Sequence, residues 1–192
     1  MKYELVKNDI KKFHNKTFYR IKALRSFNEV KKGDLGGYIE SENNLSHDLS
    51  AWVYHNACVY NNACVYGSAR IYGNAHVSED ARVYGAACIF DNAHISGNSC
   101  VSGYARVYGK ACVYENACVY ENALVSGDSR VFGNAHIYGE ACVYGNAWVF
   151  MNAHVSENAR IGGKAHVSGN SRIFGNKHIS ENDRISGNTY IS

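Results

Sequence analysis

The cysteines and histidines are the side chains of this 192-residue sequence with the most obvious capacity for metal binding or nucleophilic chemistry. All seven cysteines and six of the nine histidines fall at positions separated by multiples of six residues. Residues eighteen apart form two mixed series, which are Cys58, His76, His94, Cys112 and Cys100, Cys118, His136, His154. Zinc needs four such ligands converging on one point, whereas a straight ladder of strands spaces them by about 4.8 Å along a line. Two neighbouring side chains could hold a metal ion, but four could not without a bulge or a second subunit, so we expect no native metal site.

The sequence also gives little indication of a catalytic site. The sequence offers no Ser-His-Asp order, no paired acids and no glycine-rich phosphate loop that could be argued as a site. The charge is also modest: residues 1–50 carry 10 Lys+Arg and 7 Asp+Glu, and residues 51–192 carry 10 of each. A nucleic-acid-binding arm would show a denser basic cluster. These observations predict no catalytic residues, no cofactor and no nucleic-acid partner.

An internal repeat accounts for the six-residue spacing. From Ala51 to Asn188 the chain divides into 23 consecutive hexads, with Val or Ile at the third position of all 23. The first position is Ala in 18 hexads, the fifth is Gly in 14 and the sixth is Asn in 15. A period of six matches neither an α-helix nor a hairpin.

Each hexad reads as a short strand followed by a corner. Residues at the first and third positions are small or β-branched and should point inward, while those at the second and fourth should point outward. Gly and Asn at the fifth and sixth positions tolerate positive φ and suit a corner. Three hexads then close one 18-residue coil, and about eight coils stack through parallel ladders. The predicted class is all-β.

The motif Ile71-Tyr72-Gly73-Asn74-Ala75-His76 resembles the hexapeptide repeat of left-handed parallel β-helix proteins. The resemblance covers roughly residues 39–192 and implies left-handed coils, an exception to the usual handedness of parallel crossovers. The segments Tyr19–Leu24, Val30–Ser41 and Asn43–Asp48 resemble a group of phage and prophage hexapeptide-repeat proteins with no established general activity. Acyltransferases share the β-helix, but they typically carry a histidine at a loop leaving it, and this repeat is never interrupted.

Residues 1–38 do not repeat and are predicted to form a β-rich cap over the first coil, because repeat stacks need caps to cover an open end. The β-helix is predicted over residues 39–192. Ile39 and Leu45 are six residues apart but Leu45 and Val53 are eight apart, which predicts a two-residue insertion in the first coil. The N-terminus has no signal-peptide pattern and the chain has no long apolar run, so we expect a cytoplasmic protein with no membrane partner.

Two outward aromatic patches are the candidate binding sites. Residues eighteen apart share a face, so three faces are expected; face one contains Trp52, face two Cys58 and face three Cys64. The predicted face-one patch comprises Trp52, Tyr54, Arg70, Tyr72, Cys88, Phe90, Arg106 and Tyr108. The second candidate patch, on face two, comprises Cys112, Tyr114, Phe132, Trp148 and Phe150. Such compositions are typical of protein interfaces, although stacking between neighbouring strands would also use them.

The sequence thus favours a non-catalytic scaffold that binds protein, either as a homo-oligomer or on a host protein. The phage resemblance implies action on host machinery, such as defence systems, in the host cytoplasm. One alternative is an acyltransferase-like enzyme. Another is a single-stranded nucleic-acid binder using tyrosines interleaved with Arg70, Arg82, Arg106 and Arg172.

Overall fold

A computed structural model describes residues 1–13 and 15–192. These residues form a three-sided parallel β-solenoid with 18-residue spacing between rungs, consistent with a left-handed β-helix. The predicted all-β class and the three faces are therefore confirmed. Within the described ranges no helix is long and apolar enough to span a bilayer.

Each face is a column of two-residue strands from successive coils. The eight strands of face one are Trp52–Val53, Arg70–Ile71, Cys88–Ile89, Arg106–Val107, Leu124–Val125, Cys142–Val143, Arg160–Ile161 and His178–Ile179. Face two contains Cys58–Val59, His76–Val77, His94–Ile95, Cys112–Val113, Arg130–Val131, Trp148–Val149, His166–Val167 and Arg184–Ile185. Face three contains Cys64–Val65, Arg82–Val83, Cys100–Val101, Cys118–Val119, His136–Ile137, His154–Val155, Arg172–Ile173 and Tyr190–Ile191.

The interior is the predicted column of small and β-branched residues. From Ala51 to Ile173 every residue at the first and third hexad positions is fully buried. The interior becomes accessible only in the last coil, where Lys177 and Asp183 take the first position and are exposed. Burial of these apolar side chains, each coil against its neighbours, is the main source of stability in such a stack.

All 23 corners place the fifth hexad residue in the left-handed region, with φ between 53° and 76°. Nine of these residues are not glycine, which the consensus alone does not explain. At five of the nine, an acidic side chain accepts a hydrogen bond from the backbone N–H of a glycine one coil later, as Glu79 does from Gly97 at 2.6 Å and Glu121 from Gly139 at 2.7 Å. The hydrogen bond offsets part of the strain that a residue other than glycine has in the left-handed backbone conformation.

The N-terminal segment is a β-meander that extends the face-two sheet. Strand β1 (Tyr3–Phe13) pairs antiparallel with β2 (Lys16–Ala23), and β2 pairs antiparallel with β3 (Leu35–Ile39). Strand β3 then pairs parallel with the first face-two strand, and a short 3-10 helix follows at Glu42–Asn44. Ile39 pairs with Val59 and Leu45 with Val65, an offset of 20 instead of 18, so the two-residue insertion is confirmed.

The meander closes the solenoid by contacting both its side chains and its free carbonyls. Gly36 and Gly37 cross the end of the column so closely that a Cβ on either would lie 2.6 Å from an atom of Val53. Carbonyls of the first coil that lack a preceding coil receive substitute donors: Lys2 Nζ donates to the carbonyl of Ala51 at 2.8 Å. Desolvation, with a smaller contribution from Arg25, lowers the pKa of Lys2 to about 8.

Three serines replace alanine at the first hexad position and are fully buried in the interior, which places a hydroxyl group among apolar side chains. They are Ser99, Ser129 and Ser171. Ser129 Oγ is buried without a hydrogen-bond partner, whereas Ser171 Oγ donates to the carbonyl of Ser168 at 2.6 Å. We expect Ser129→Ala to stabilise the protein by about 1 kcal/mol, because it removes an unsatisfied buried hydroxyl. Ser171→Ala is the matched control and should be neutral or destabilising. Urea unfolding measures both; a loss of stability in Ser129→Ala would contradict the expectation.

Candidate protein-binding surface

The aromatic residues of face one form two separate stacks rather than one flat patch. Tyr54 stacks on Tyr72 with ring centroids 4.3 Å apart, and Phe90 stacks on Tyr108 at 4.7 Å. All four rings are half-buried by their neighbours. Burial, more than any charge, raises the pKa of both Tyr54 and Tyr72, so these phenols are neutral at physiological pH. Face one therefore presents the edges and outer sides of its aromatic rings.

The inclusion of Trp52 in this patch was wrong. Its ring is 1% exposed because the meander folds over it, with Phe27 at 5.3 Å and Tyr3 at 6.1 Å between ring centroids. Trp52 occupies an outward position of the hexad, but residues before the repeat cover the first rung. The remaining seven residues of the patch share face one, and Arg70 lies 4.0 Å from the Glu29 carboxylate.

The second candidate patch is continuous across its rungs. Tyr114, Phe132 and Phe150 stack in succession at 4.9 Å, and Trp148 meets Phe132 edge-on at 6.2 Å. Cys112 is the register partner of Arg130, whose guanidinium lies 5.2 Å from the Trp148 ring. These contacts account for the residues as a stacking ladder, and each ring is half-buried.

An exposed apolar surface outside both predicted patches lies at a corner of the first coils. Leu49 and Tyr104 are 69% and 70% exposed, and Ala86 lies between them. We call these three residues the corner patch. They line an open groove of about 340 Å³ whose floor is glycine backbone at the turns from face three to face one. The available signal was departure from the consensus, since Ala86 and Tyr104 replace the Asn found at most sixth positions.

The corner patch and face one form one surface. Ala86 directly precedes the hexad that contains Cys88 and Phe90, and Tyr104 directly precedes the hexad that contains Arg106 and Tyr108. The second-position side chains Cys88 and Arg106 therefore separate the corner patch from the aromatic stacks. An apolar edge, a band containing guanidinium groups and an aromatic edge lie side by side, an arrangement suited to binding protein.

The mixed Cys/His ladders do not form a four-ligand cluster. Among the described residues, no group of three or more His, Cys, Asp or Glu side chains is arranged to hold a metal ion. The histidines instead stack in pairs, His76 on His94 at 5.1 Å and His136 on His154 at 4.9 Å. Burial and, to a lesser extent, the charge of the neighbouring imidazole lower the pKa of His76 and His154.

The arginines invoked for nucleic-acid binding do not share one surface. Arg70 and Arg106 lie on face one, while Arg82 and Arg172 lie on face three. Arg172 already covers the Tyr190 ring at 5.7 Å. A single strand following one face would therefore meet at most two of the four guanidinium groups.

The outward assignment of the cysteines predicts their reactivity. Six are half-buried on the outer faces, but Cys58 is 2% exposed because Phe18 and Tyr38 of the meander cover it. Burial also raises the pKa of Cys58, Cys112, Cys118 and Cys142, which lowers their thiolate fraction. We expect a mild maleimide to modify six thiols in the folded protein and the seventh, Cys58, only after unfolding. Peptide mapping identifies the sites, and rapid modification of Cys58 would contradict the meander packing.

A short segment of the chain matches a known repeat family. A family model described as the YdcK β-solenoid repeat matches residues 69–85, about the length of one coil. Among solved structures, the crystal structure of a candidate acetyltransferase from Bacillus cereus matches with a TM-score of 0.42 and 15% identity. That match covers 62% of this chain and 74% of the other. No curated protein matches. The predicted resemblance to hexapeptide-repeat β-helix proteins is supported, whereas the phage relationship remains a prediction.

Proposed function

We propose that this protein is a non-catalytic β-helical scaffold that binds protein through the surface formed by the corner patch and face one. The observation that carries the proposal is the 70% exposure of Tyr104, whose ring has no stacking partner among the described residues, beside a groove with a backbone floor. Aromatic side chains that leave water on binding contribute strongly to interfaces. The regular strands behind this surface hold it in one shape, which limits the ordering cost of binding.

The first partner to test is a second copy of the chain. The face-one sheet is built from eight straight, in-register rungs, so two copies could approach along their full length. A host protein is the next partner to test, since the N-terminal segment resembles phage proteins. The proposed location is the cytoplasm.

The decisive experiment removes the apolar character of the surface without touching the column. In one variant Tyr72→Glu and Phe90→Glu place like charges on adjacent rungs of face one, and in another Tyr104→Glu changes the corner patch. We expect both to abolish self-association, or capture of an identified host protein, because charges replace apolar contacts at the interface. Light scattering coupled to gel filtration gives the mass, and circular dichroism checks the fold.

The matched control is Tyr120→Glu with Tyr138→Glu. These tyrosines stack on face three at 5.1 Å, like the pairs of face one, but lie outside the proposed surface. The control should retain the wild-type assembly. Loss of binding in the control alone, or a wild-type protein that stays monomeric and captures nothing specifically, would refute the proposal. Micromolar binding of acetyl-CoA that is lost on replacing an outward histidine would favour the enzyme alternative.

A further inference from the structure

Two cysteines occupy directly adjacent rungs of face three. Cys100 and Cys118 are Cα partners in the parallel ladder, and no other pair of cysteines in the described ranges is paired in this way. Both are free and half-buried on the same outer face. The two thiols therefore form a neighbouring pair whose spacing is set by the sheet.

The spacing suits a bridging ion better than a disulfide. Adjacent strands lie about 4.8 Å apart. Side chains that leave an in-register ladder side by side keep about this separation, whereas a disulfide needs Cβ atoms ~3.5–4.5 Å apart. A zinc–thiolate bond is about 2.3 Å long, and with bonds of similar length a linear sulfur–metal–sulfur unit spans roughly 4.6 Å. Thiolates select soft cations such as Cu(I), and a two-coordinate ion needs no third or fourth ligand from the ladder.

A positively charged side chain lies on the rung next to the two cysteines. Arg82 is the register partner of Cys100 on one side, and His136 is the partner of Cys118 on the other. Two thiolates around a monovalent cation carry a net charge of −1, which the Arg82 guanidinium one rung away would balance.

The thiol orientations also distinguish Cys100 from the other cysteines. The six others place Sγ within 3.3–3.8 Å of the carbonyl two residues earlier. Cys100 makes no such contact, and its interaction with the Tyr84 side chain raises the pKa of that phenol. The Cys118 contact, to the Asn116 carbonyl at 3.8 Å, is the longest of the six, so rotation of this thiol toward Cys100 gives up little.

We propose that Cys100 and Cys118 form a two-coordinate site for a monovalent, thiophilic cation of the Cu(I) type. Binding forms two metal–sulfur bonds and releases the two thiol protons to solvent, with no change in oxidation state. The site lies on face three, uses none of the residues of the proposed protein-binding surface, and does not depend on the proposed function.

The test is anaerobic Cu(I) titration of the reduced protein against a chromogenic Cu(I) chelator. We expect one equivalent to remain on the wild-type chain at a chelator concentration that strips both Cys100→Ser and Cys118→Ser. Cys142→Ser is the matched control, because Cys142 is a half-buried outward cysteine without a cysteine neighbour, and it should retain the ion. Loss in Cys142→Ser equal to that in Cys100→Ser would overturn the proposal.

A second measurement separates an intramolecular site from metal bridges between chains. Native mass spectrometry should show one Cu(I) per chain with the loss of two protons, and X-ray absorption should show two sulfur neighbours around the copper. Arg82→Gln should weaken binding roughly tenfold by removing the counter-charge, and Arg82→Lys should restore most of it. Copper found only in chains bridged by the ion, or unchanged affinity in Arg82→Gln, would contradict the arrangement.

Discussion

Val113→Asp is expected to unfold the middle coils of the solenoid. Val113 is fully buried between Ile95 and Val131 in the face-two ladder, with no donor or cation in its ladder to receive a carboxylate. An unpaired charge in such a site costs several kcal/mol, about as much as the whole stability of many domains. Because each coil contacts only its neighbours, the damage should begin at residues 95–131 and separate the two ends.

The control for this prediction is the adjacent residue. Cys112→Asp introduces the same carboxylate at an outward position whose register partner is Arg130, and it should retain the wild-type fold. Denaturant unfolding gives the free energies, and hydrogen exchange locates the loss of protection. If Val113→Asp expresses only as aggregate, Val113→Ala should still lose about 2 kcal/mol. Comparable losses in Cys112→Asp and Val113→Asp would overturn the inward–outward assignment.

Asn44→Ala should weaken attachment of the first coil by about 2–3 kcal/mol, since several buried groups lose their partners. Asn44 is fully buried, and its Nδ2 donates to the carbonyls of Asn61 and Ala63, both at 2.9 Å. Its Oδ1 accepts the backbone N–H of Ser41 at 2.9 Å. One amide thus substitutes for the backbone of a missing rung.

Asn43→Ala is the control, because Asn43 is exposed and its side chain makes none of these bonds; it should change stability by less than about 0.5 kcal/mol. Thermal unfolding compares the two variants. In Asn44→Ala, hydrogen exchange should accelerate in the first coil while residues after 100 keep their protection. Equal stability of the two variants would show that water replaces the Asn44 amide without cost.

The repeat was predictable because local and global requirements coincide in it. Val or Ile at the third position of every hexad has only one buried direction to face, and periodicity alone predicts all three faces and the insertion before Val53. The meander contacts were not predictable in this way. Trp52 obeys the same rule as Arg70 in the repeat, yet Phe27 and Tyr3 cover it, and nothing in their spacing specifies that packing.

The candidate binding surface was likewise predictable only in part from the sequence. Sequence pattern placed Tyr72 and Phe90 on face one, but it could not show that the aromatic residues would form separate stacks. Tyr104 lies outside the predicted patches because it occupies a sixth hexad position, which is usually Asn, and breaks the consensus there. In a structure made of near-identical units, those exceptions carry the most information about function.

Corner acids pair with glycines eighteen residues later, so residues can be deleted from the repeat without mismatching the corners only in whole coils. Excision of residues 111–128 would join Lys110 to Ser129 and bring Gly97, Gly103 and Gly109 over Gly133, Gly139 and Gly145, so every corner keeps a compatible neighbour. The rod would shorten by about 4.8 Å with its faces still aligned. Removal of six residues would instead rotate everything downstream by one side of the triangle. The smallest deletion that keeps the three faces aligned is therefore one coil of eighteen residues.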